Sequence, residues 1–229
     1  MSKYKWLFFD ADNTIFDFDK SEATAFEKAI EAQGILYQSE MLDLYKKINH
    51  QCWRDLEDGK ITKAELKYLR FELFFSQIEK NANIPQFSRD YLSFLSQTNF
   101  LLDNAIHLLE TVRKDHQLVL VTNGLKEVQR PRFARSQIGK YFETIVISDE
   151  IGHAKPHAAF FDFTFEQINH PAKEEVLMIG DNINADIGGA QNYGLDTCWY
   201  NHRREQKKQE IVPTFTIDNI KELISILYP

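Results

Sequence analysis

Five short apolar runs along the chain each stop at a polar or small residue: KWLFFD (Lys5 to Asp10), LVLVTNG (Leu118 to Gly124), TIVISDE (Thr144 to Glu150), VLMIGD (Val176 to Asp181) and DTCWYN (Asp196 to Asn201). Runs of this length read as buried strands. Helical patterns separate the later ones: NAIHLLETVRK (Asn104 to Lys114), AAFFDFTFEQI (Ala158 to Ile168) and NADIGGAQNYG (Asn184 to Gly194). The alternation predicts an α/β fold, a parallel sheet with helices on both faces. Such sheets bind ligands beyond the carboxyl ends of their strands. Asp10, the Thr122-Asn123-Gly124 triplet and the Gly180-Asp181 pair all fall at those ends.

Between the first run and the second there is no comparable strand. Ser21 to Gln33, Glu40 to Glu57, Thr62 to Lys80 and Ser88 to Gln97 read instead as helices, broken by Gly34, by DGKIT (Asp58 to Thr62) and by Pro85. The expected organisation is a core from residues 1–16 and 98–229 with an all-helical insertion over 17–97. An insertion far longer than an ordinary strand-to-helix connection is expected to act as a lid. A separate helical domain with its own partner is the alternative.

With 229 residues and 43% apolar content the chain can bury a sizeable core. Its net charge of −7 argues against a surface made to neutralise nucleic-acid polymers, so a phosphate ligand would be small and bound locally. Cys52 and Cys198 form no C-x-x-C pair, which indicates neither a disulfide framework nor a zinc site. There is no run of about eighteen apolar residues, and the expectation is a soluble cytoplasmic protein without a membrane segment. NHRREQKKQE (Asn201 to Glu210) reads as a solvated loop whose start could reach a ligand.

DADNT places Asp10 and Asp12 on either side of one residue, with Thr14 expected to help hold the turn. Two acids so close raise each other's pKa unless a cation lies between them, which points to a metal. Taken alone, DADNT also fits a turn rich in side-chain hydrogen bonds. VTNG offers the Thr122 hydroxyl and the backbone around Asn123 and Gly124 to an anion, or is an ordinary helix cap. GHAKPHAAF sets Lys155 before Pro156 at a helix entry, where most lysines are merely solvated. MIGDNINADIGGA adds Asp181 and Asp186 at another strand end. Together these place four acids, a lysine and a threonine along one sheet edge.

The order D-x-D-x-T, T-N-G after an apolar strand, K-P and G-D-x-x-x-x-D resembles the four signature motifs of the haloacid dehalogenase-like hydrolase superfamily, over nearly the whole chain. The resemblance implies a Rossmann-like core with an inserted helical cap of the C1 type. More narrowly, FFDADNTIFDFD, DGKITKAELKYLRFE, LVLVTNG, VISDEIGHAKP, CWYN and PTFTIDNIKEL resemble the pyrimidine 5′-nucleotidases that remove non-standard nucleotides.

In that family Asp10 would be the nucleophile that forms an aspartyl-phosphate, and Asp12 the acid and then the base. Mg²⁺ would bind the carboxylates of Asp10 and Asp181 and the backbone carbonyl of Asp12. Thr122, Asn123 and Lys155 would hold the phosphoryl group, and Asp186 would orient Lys155 or a metal-bound water. The implied substrate is a small phosphomonoester, a pyrimidine nucleotide such as dUMP, UMP or dTMP, with the protein a monomer or a dimer.

Asp12 disfavours dehalogenation, because the superfamily's dehalogenases lack the second aspartate. A phosphoglycolate or sugar-phosphate phosphatase, a C1-capped sugar phosphomutase and a catalytically idle nucleotide-binding or interaction protein remain as alternatives. Asn13 stands where the phosphomutases usually have glycine, Leu102-Asp103-Asn104 where relatives often have a proline-containing turn, and His157 where a polar residue is usual after K-P. In KINHQCWRDLEDG, Asn49 and Trp53 lie one helical turn apart and could read and stack a base. Equally, Trp53 could pack the insertion's own core and Asn49 be solvated.

Overall fold

All five apolar runs form strands: β1 (Trp6–Phe9), β2 (Gln117–Thr122), β3 (Thr144–Ile147), β4 (Val176–Gly180) and β5 (Asp196–Tyr200). The computed structural model describes residues 2–206 and 210–228. Its chain divides into two compact units, Met1–Phe18 with Asn99–Pro229, and Asp19–Thr98.

The first unit is built on one parallel sheet in the order β3-β2-β1-β4-β5-β6. Its edge strand β6 (Phe215–Ile217) is absent from the sequence reading. Three residues that are half-buried, exposed and buried in turn carry too little apolar signal to mark a strand. Strand order reverses on either side of β1, and Asp10 and Asp181 follow the two strands, β1 and β4, that meet there.

Register makes the sheet two-faced. Leu7 pairs with Leu118 and Leu177, and Phe9 with Leu120 and Ile179, so these six line one face. They pack with α5 (Ala105–Val112) and α10 (Glu222–Leu227) through Leu108, Leu109, Val112, Leu223 and Leu227. The opposite face, with Phe8, Val119, Val121 and Met178, is covered by Phe160, Phe161 and Phe165 of α8 (Ala158–Gln167) and by Ala190 of α9 (Gly189–Tyr193). Each such side chain contributes about 1.5–3 kcal/mol when fully buried, so both faces are committed to helices.

Two further helices, α6 (Lys126–Arg135) and α7 (Ser148–Ile151), complete this unit. The sequence reading misses α6 because KEVQRPRFAR has no apolar stripe; its buried positions include Gln129 and Arg132 beside Val128 and Phe133. The helix expected over residues 184–194 begins as a π-helical stretch, Ile183–Gly188, before α9. Of the charged stretch expected as a solvated loop, Arg203 to Gln206 and Glu210 are exposed, and residues 207–209 lie outside the described residues. Both cysteines are free and buried. Among the described residues no helix is long and apolar enough to cross a membrane.

The second unit is built from α1 (Phe18–Ala32), α2 (Ser39–Glu57), α3 (Lys63–Gln77) and α4 (Ile84–Gln97). Two boundaries differ from the sequence reading for a local reason. Thr62 lies outside α3 as its cap, accepting from Glu65 N at 3.2 Å while Glu65 accepts from Thr62 N at 2.8 Å. Pro85 starts α4 instead of breaking it, since a helix's first turn needs no proline N–H and Asn83 Oδ1 caps Gln86 N at 3.1 Å. The unit's core is aromatic: Phe26 stacks on Tyr45 at 4.4 Å between centroids, Phe71 stacks on the same tyrosine at 5.6 Å, and Phe74 and Phe87 pack edge-on against Phe26.

Inside it lies a polar triad. Asn49 Nδ2 donates to Glu22 Oε1 at 2.7 Å, and Asn49 Oδ1 accepts from Arg70 Nη1 at 3.0 Å; all three residues are buried. Burial pushes the Glu22 carboxyl up to about 7, against the opposing pull of Lys46 and Arg70. The folded value lies above the ordinary 4.5, so the folded state keeps a proton that the unfolded chain releases first. The stability this contributes is present below about pH 4.5 and lost as pH rises through about 7, on the order of 3 kcal/mol in all. Glu22→Gln is therefore expected to flatten the fall in urea midpoint between pH 5 and pH 8. An unchanged fall in the variant would assign that slope to other groups.

Candidate active site

β1 carries its ladder one residue past Phe9, with Asp10 N donating to Ile179 O at 2.9 Å, and this delivers the Asp10 carboxylate to the sheet's edge. Lys155 meets it there. Its ammonium donates to Asp10 Oδ1 at 2.7 Å and to Val121 O at 2.8 Å and pairs with Asp186 Oδ1 at 2.7 Å, so all three N–H groups are used. The lysine is 1% exposed, not solvated. Asn123 fixes its backbone reciprocally: Oδ1 accepts from Lys155 N at 2.9 Å and Nδ2 donates to Lys155 O at 2.8 Å. The side chain of Asn123 thus joins the second motif to the third, and its backbone and the second N–H of its amide are what it can still offer an anion.

Asp186 comes close because residue 180 is glycine: a Cβ there would lie 2.3 Å from Asp186 Oδ2. That carboxylate also accepts from Asn182 N at 3.0 Å. The carbonyl of Asp181 is held by Trp199 Nε1 at 2.9 Å. Arg203, at the start of the charged loop, brings Nη1 to 3.9 Å from Asp181 Oδ2.

Asp12 is engaged elsewhere. Its Oδ1 accepts from Arg132 Nη1 at 2.5 Å and its Oδ2 from Gln129 Nε2 at 2.6 Å. Thr122 Oγ1 accepts from Gly124 N and from Gln129 Nε2, both at 3.1 Å, and keeps its own O–H to donate. Thr14 does not hold the turn: its buried hydroxyl makes no hydrogen bond. Asn13 does so, adopting φ 57° and accepting from Phe18 N at 3.1 Å through Oδ1.

The electrostatics differ in one respect from the sequence reading. Asp10 is pushed up to about 7 first by burial and then by Asp186, which stands ahead of Asp12, while Lys155 pulls it down. Burial first, then Asp10 and Asp186, hold Asp181 well above the carboxylate range. One oxygen from each of Asp10, Asp181 and Asp186 lies within 4.8 Å of the others. A single buried ammonium faces three carboxylates, an oxygen-only set with excess negative charge, and this suits a small hard dication such as Mg²⁺.

Gln129 and Arg132 are absent from the sequence reading, and Arg203 enters it only as part of the charged stretch whose start could reach a ligand. The one available signal for the first two is their spacing of three residues on a helix. Of the candidates in the helical unit, Asn49 is buried with its amide bound to Glu22 and Arg70, so it is not solvated. Trp53 is half-buried on α2.

A doubly wound sheet thus gathers a lysine and three acids at one edge, and the family whose pattern the chain matches is one of hydrolases. The family model of the haloacid dehalogenase-like hydrolases matches residues 4–194. The pyrimidine 5′-nucleotidase YjjG of Escherichia coli is 32% identical over 98% of both chains. The pyrimidine 5′-nucleotidase PynA of Streptococcus pneumoniae is 34% identical over 98% of this chain and 95% of its own. The crystal structure of the HAD-hydrolase YfnB from Bacillus subtilis bound to magnesium superposes with a TM-score of 0.94, at 36% identity over 99% of both chains. The chain belongs to the haloacid dehalogenase-like hydrolase family. Mg²⁺ is the cofactor of this family, and the acidic cluster fits it.

Proposed function

We propose that this hydrolase is a phosphomonoesterase that acts on pyrimidine nucleoside 5′-monophosphates such as dUMP, UMP and dTMP. The observation that carries the reading is the separation of two neighbouring acids: Asp10 is bound to Lys155 inside the acidic cluster, while Asp12 has partners of its own on α6. One carboxylate is thereby set up to attack and the other to carry a proton. Similarity to two pyrimidine 5′-nucleotidases supports the substrate class.

In the first half-reaction an Asp10 oxygen forms a bond to phosphorus as the bond to the 5′ oxygen breaks, and Asp12 gives that oxygen its proton. In the second, Asp12 takes a proton from water as the water oxygen attacks phosphorus. The bond to Asp10 breaks, and inorganic phosphate leaves. Lys155 and the Thr122 hydroxyl stabilise charge on the transferring group, with Asn123 and Asp186 keeping the ammonium in place. The carboxylates of Asp10 and Asp181 and the carbonyl of Asp12 would hold Mg²⁺, which when bound offsets the repulsion between Asp10 and a phosphate dianion.

Because the core groups address only the phosphoryl end, discrimination among leaving groups is assigned to the helical unit, with Trp53 as the base-stacking candidate. kcat/KM is expected to favour pyrimidine 5′-monophosphates over purine 5′-monophosphates, phosphoglycolate and hexose phosphates, and Trp53→Ala to narrow that preference. A tenfold preference for a purine or sugar phosphate would overturn the substrate class. An unchanged ranking in the variant would remove Trp53 alone.

A further inference from the structure

We propose that Gln129 and Arg132 of α6 are positioning residues for proton transfer, aligning the Asp12 carboxyl with the leaving oxygen. The inference rests on the reading of Asp12 as the proton carrier. It stands on a closed set of contacts in which each Asp12 oxygen receives one donor, Arg132 Nη1 at 2.5 Å and Gln129 Nε2 at 2.6 Å. Arg132 Nη1 also donates to Gln129 Oε1 at 3.2 Å, so the two clamps support each other. With both oxygens held, the plane of the carboxyl is set, and each oxygen keeps a further lone pair on which a proton can be carried.

The surroundings are shaped for this contact. The Arg132 guanidinium lies 4.2 Å from the Phe16 ring centroid, on the turn that carries Asp12. Gln129 reaches both Asp12 and Thr122 by crossing directly over Gly124, where a Cβ would stand 2.3 Å from Nε2. The glycine of the T-N-G motif therefore makes room for the clamp. Gln129 also ties Asp12 to the phosphate-facing hydroxyl, so the proton carrier and the phosphoryl site share one donor.

A role in stability alone accounts poorly for the arginine. Arg132 is fully buried, and its Nε and Nη2 have no hydrogen-bond partner. Leaving such donors unsatisfied costs about 1–3 kcal/mol each, and a buried ion pair seldom stabilises a fold more than apolar side chains of the same size. What the guanidinium does supply is a fixed charge-assisted bond to one particular carboxyl.

The test compares two leaving groups under saturating Mg²⁺. A nucleoside 5′-oxygen must be protonated as it departs, whereas p-nitrophenolate departs as a stable anion. For a covalent mechanism kcat/KM reports the first half-reaction only, so the comparison isolates proton delivery. Arg132→Met and Gln129→Met are each expected to lower kcat/KM for dUMP by about 10²-fold, the low end for general acid catalysis, and that for p-nitrophenyl phosphate by less than about threefold. Arg132→Lys should recover part of the loss on dUMP. Equal losses on both substrates, or no loss on dUMP, would overturn the inference. If Arg132→Met does not fold by circular dichroism, Gln129→Met, which keeps the side-chain volume, decides the matter by the same ratio. Wild-type protein inactive on every phosphomonoester would defeat the proposed function instead, a result separate from an unselective variant of an active enzyme.

Discussion

Asp10→Asn is expected to abolish turnover, lowering kcat by about 10⁴-fold or more, as removal of a covalent nucleophile does elsewhere. An amide oxygen cannot attack phosphorus to give a stable acyl phosphate. It can still accept from Lys155 Nζ, which now lies 2.7 Å from Asp10 Oδ1. The substitution also removes one negative charge from a buried cluster in which burial and Asp186 already push Asp10 up to about 7. Folding is therefore expected to survive, with a urea midpoint at or above that of the wild type. The measurement pairs steady-state hydrolysis of dUMP with denaturation. A soluble, folded Asp10→Asn protein that kept more than about a hundredth of wild-type kcat would rule out the covalent mechanism.

Chelation of the divalent ion is expected to remove activity and Mg²⁺ to restore it, since Asp10 and a phosphate dianion repel each other in a partly desolvated site. The second readout is stability. A ligand that binds only the folded state stabilises it by about 2.7 kcal/mol at a hundred times its Kd. The effect should depend on pH with a definite sign. Asp10 is raised from 3.8 to about 7, so without the ion its contribution is present below about pH 4 and lost as pH rises through about 7, and Asp181 is raised in the same direction. Ligands must be deprotonated to bind, so protons compete with Mg²⁺ at low pH. The gap in Tm between Mg²⁺-loaded and chelated protein is thus expected to be wider at pH 8 than at pH 5. Full activity in excess chelator would sink the metal assignment. A Tm gap independent of pH would show that Asp10 and Asp181 are not its ligands.

The amino-acid sequence by itself determined five of the six strands described, the sheet edge to which they deliver Asp10, Thr122 and Asp181, and the helical character of the insertion. These are local properties: an apolar run of strand length is readable over a few residues, and the residue next after it is carried to the strand's carboxyl end. The tertiary structure alone decided which side chains meet at that edge. Lys155 is 145 residues from Asp10, and the partners of Asp12 are 117 and 120 residues away, on a helix too polar to be recognised by its pattern. Asn49 shows the same limit, because its spacing from Trp53 is visible in the sequence but its burial between Glu22 and Arg70 is not. A strand buried on both faces announces itself through an unbroken apolar run, whereas a hydrogen bond between distant residues leaves no such local trace. It depends on where two backbones are brought close, as Gly124 admits Gln129 and Gly180 admits Asp186, and that is settled only when the sheet and its helices pack.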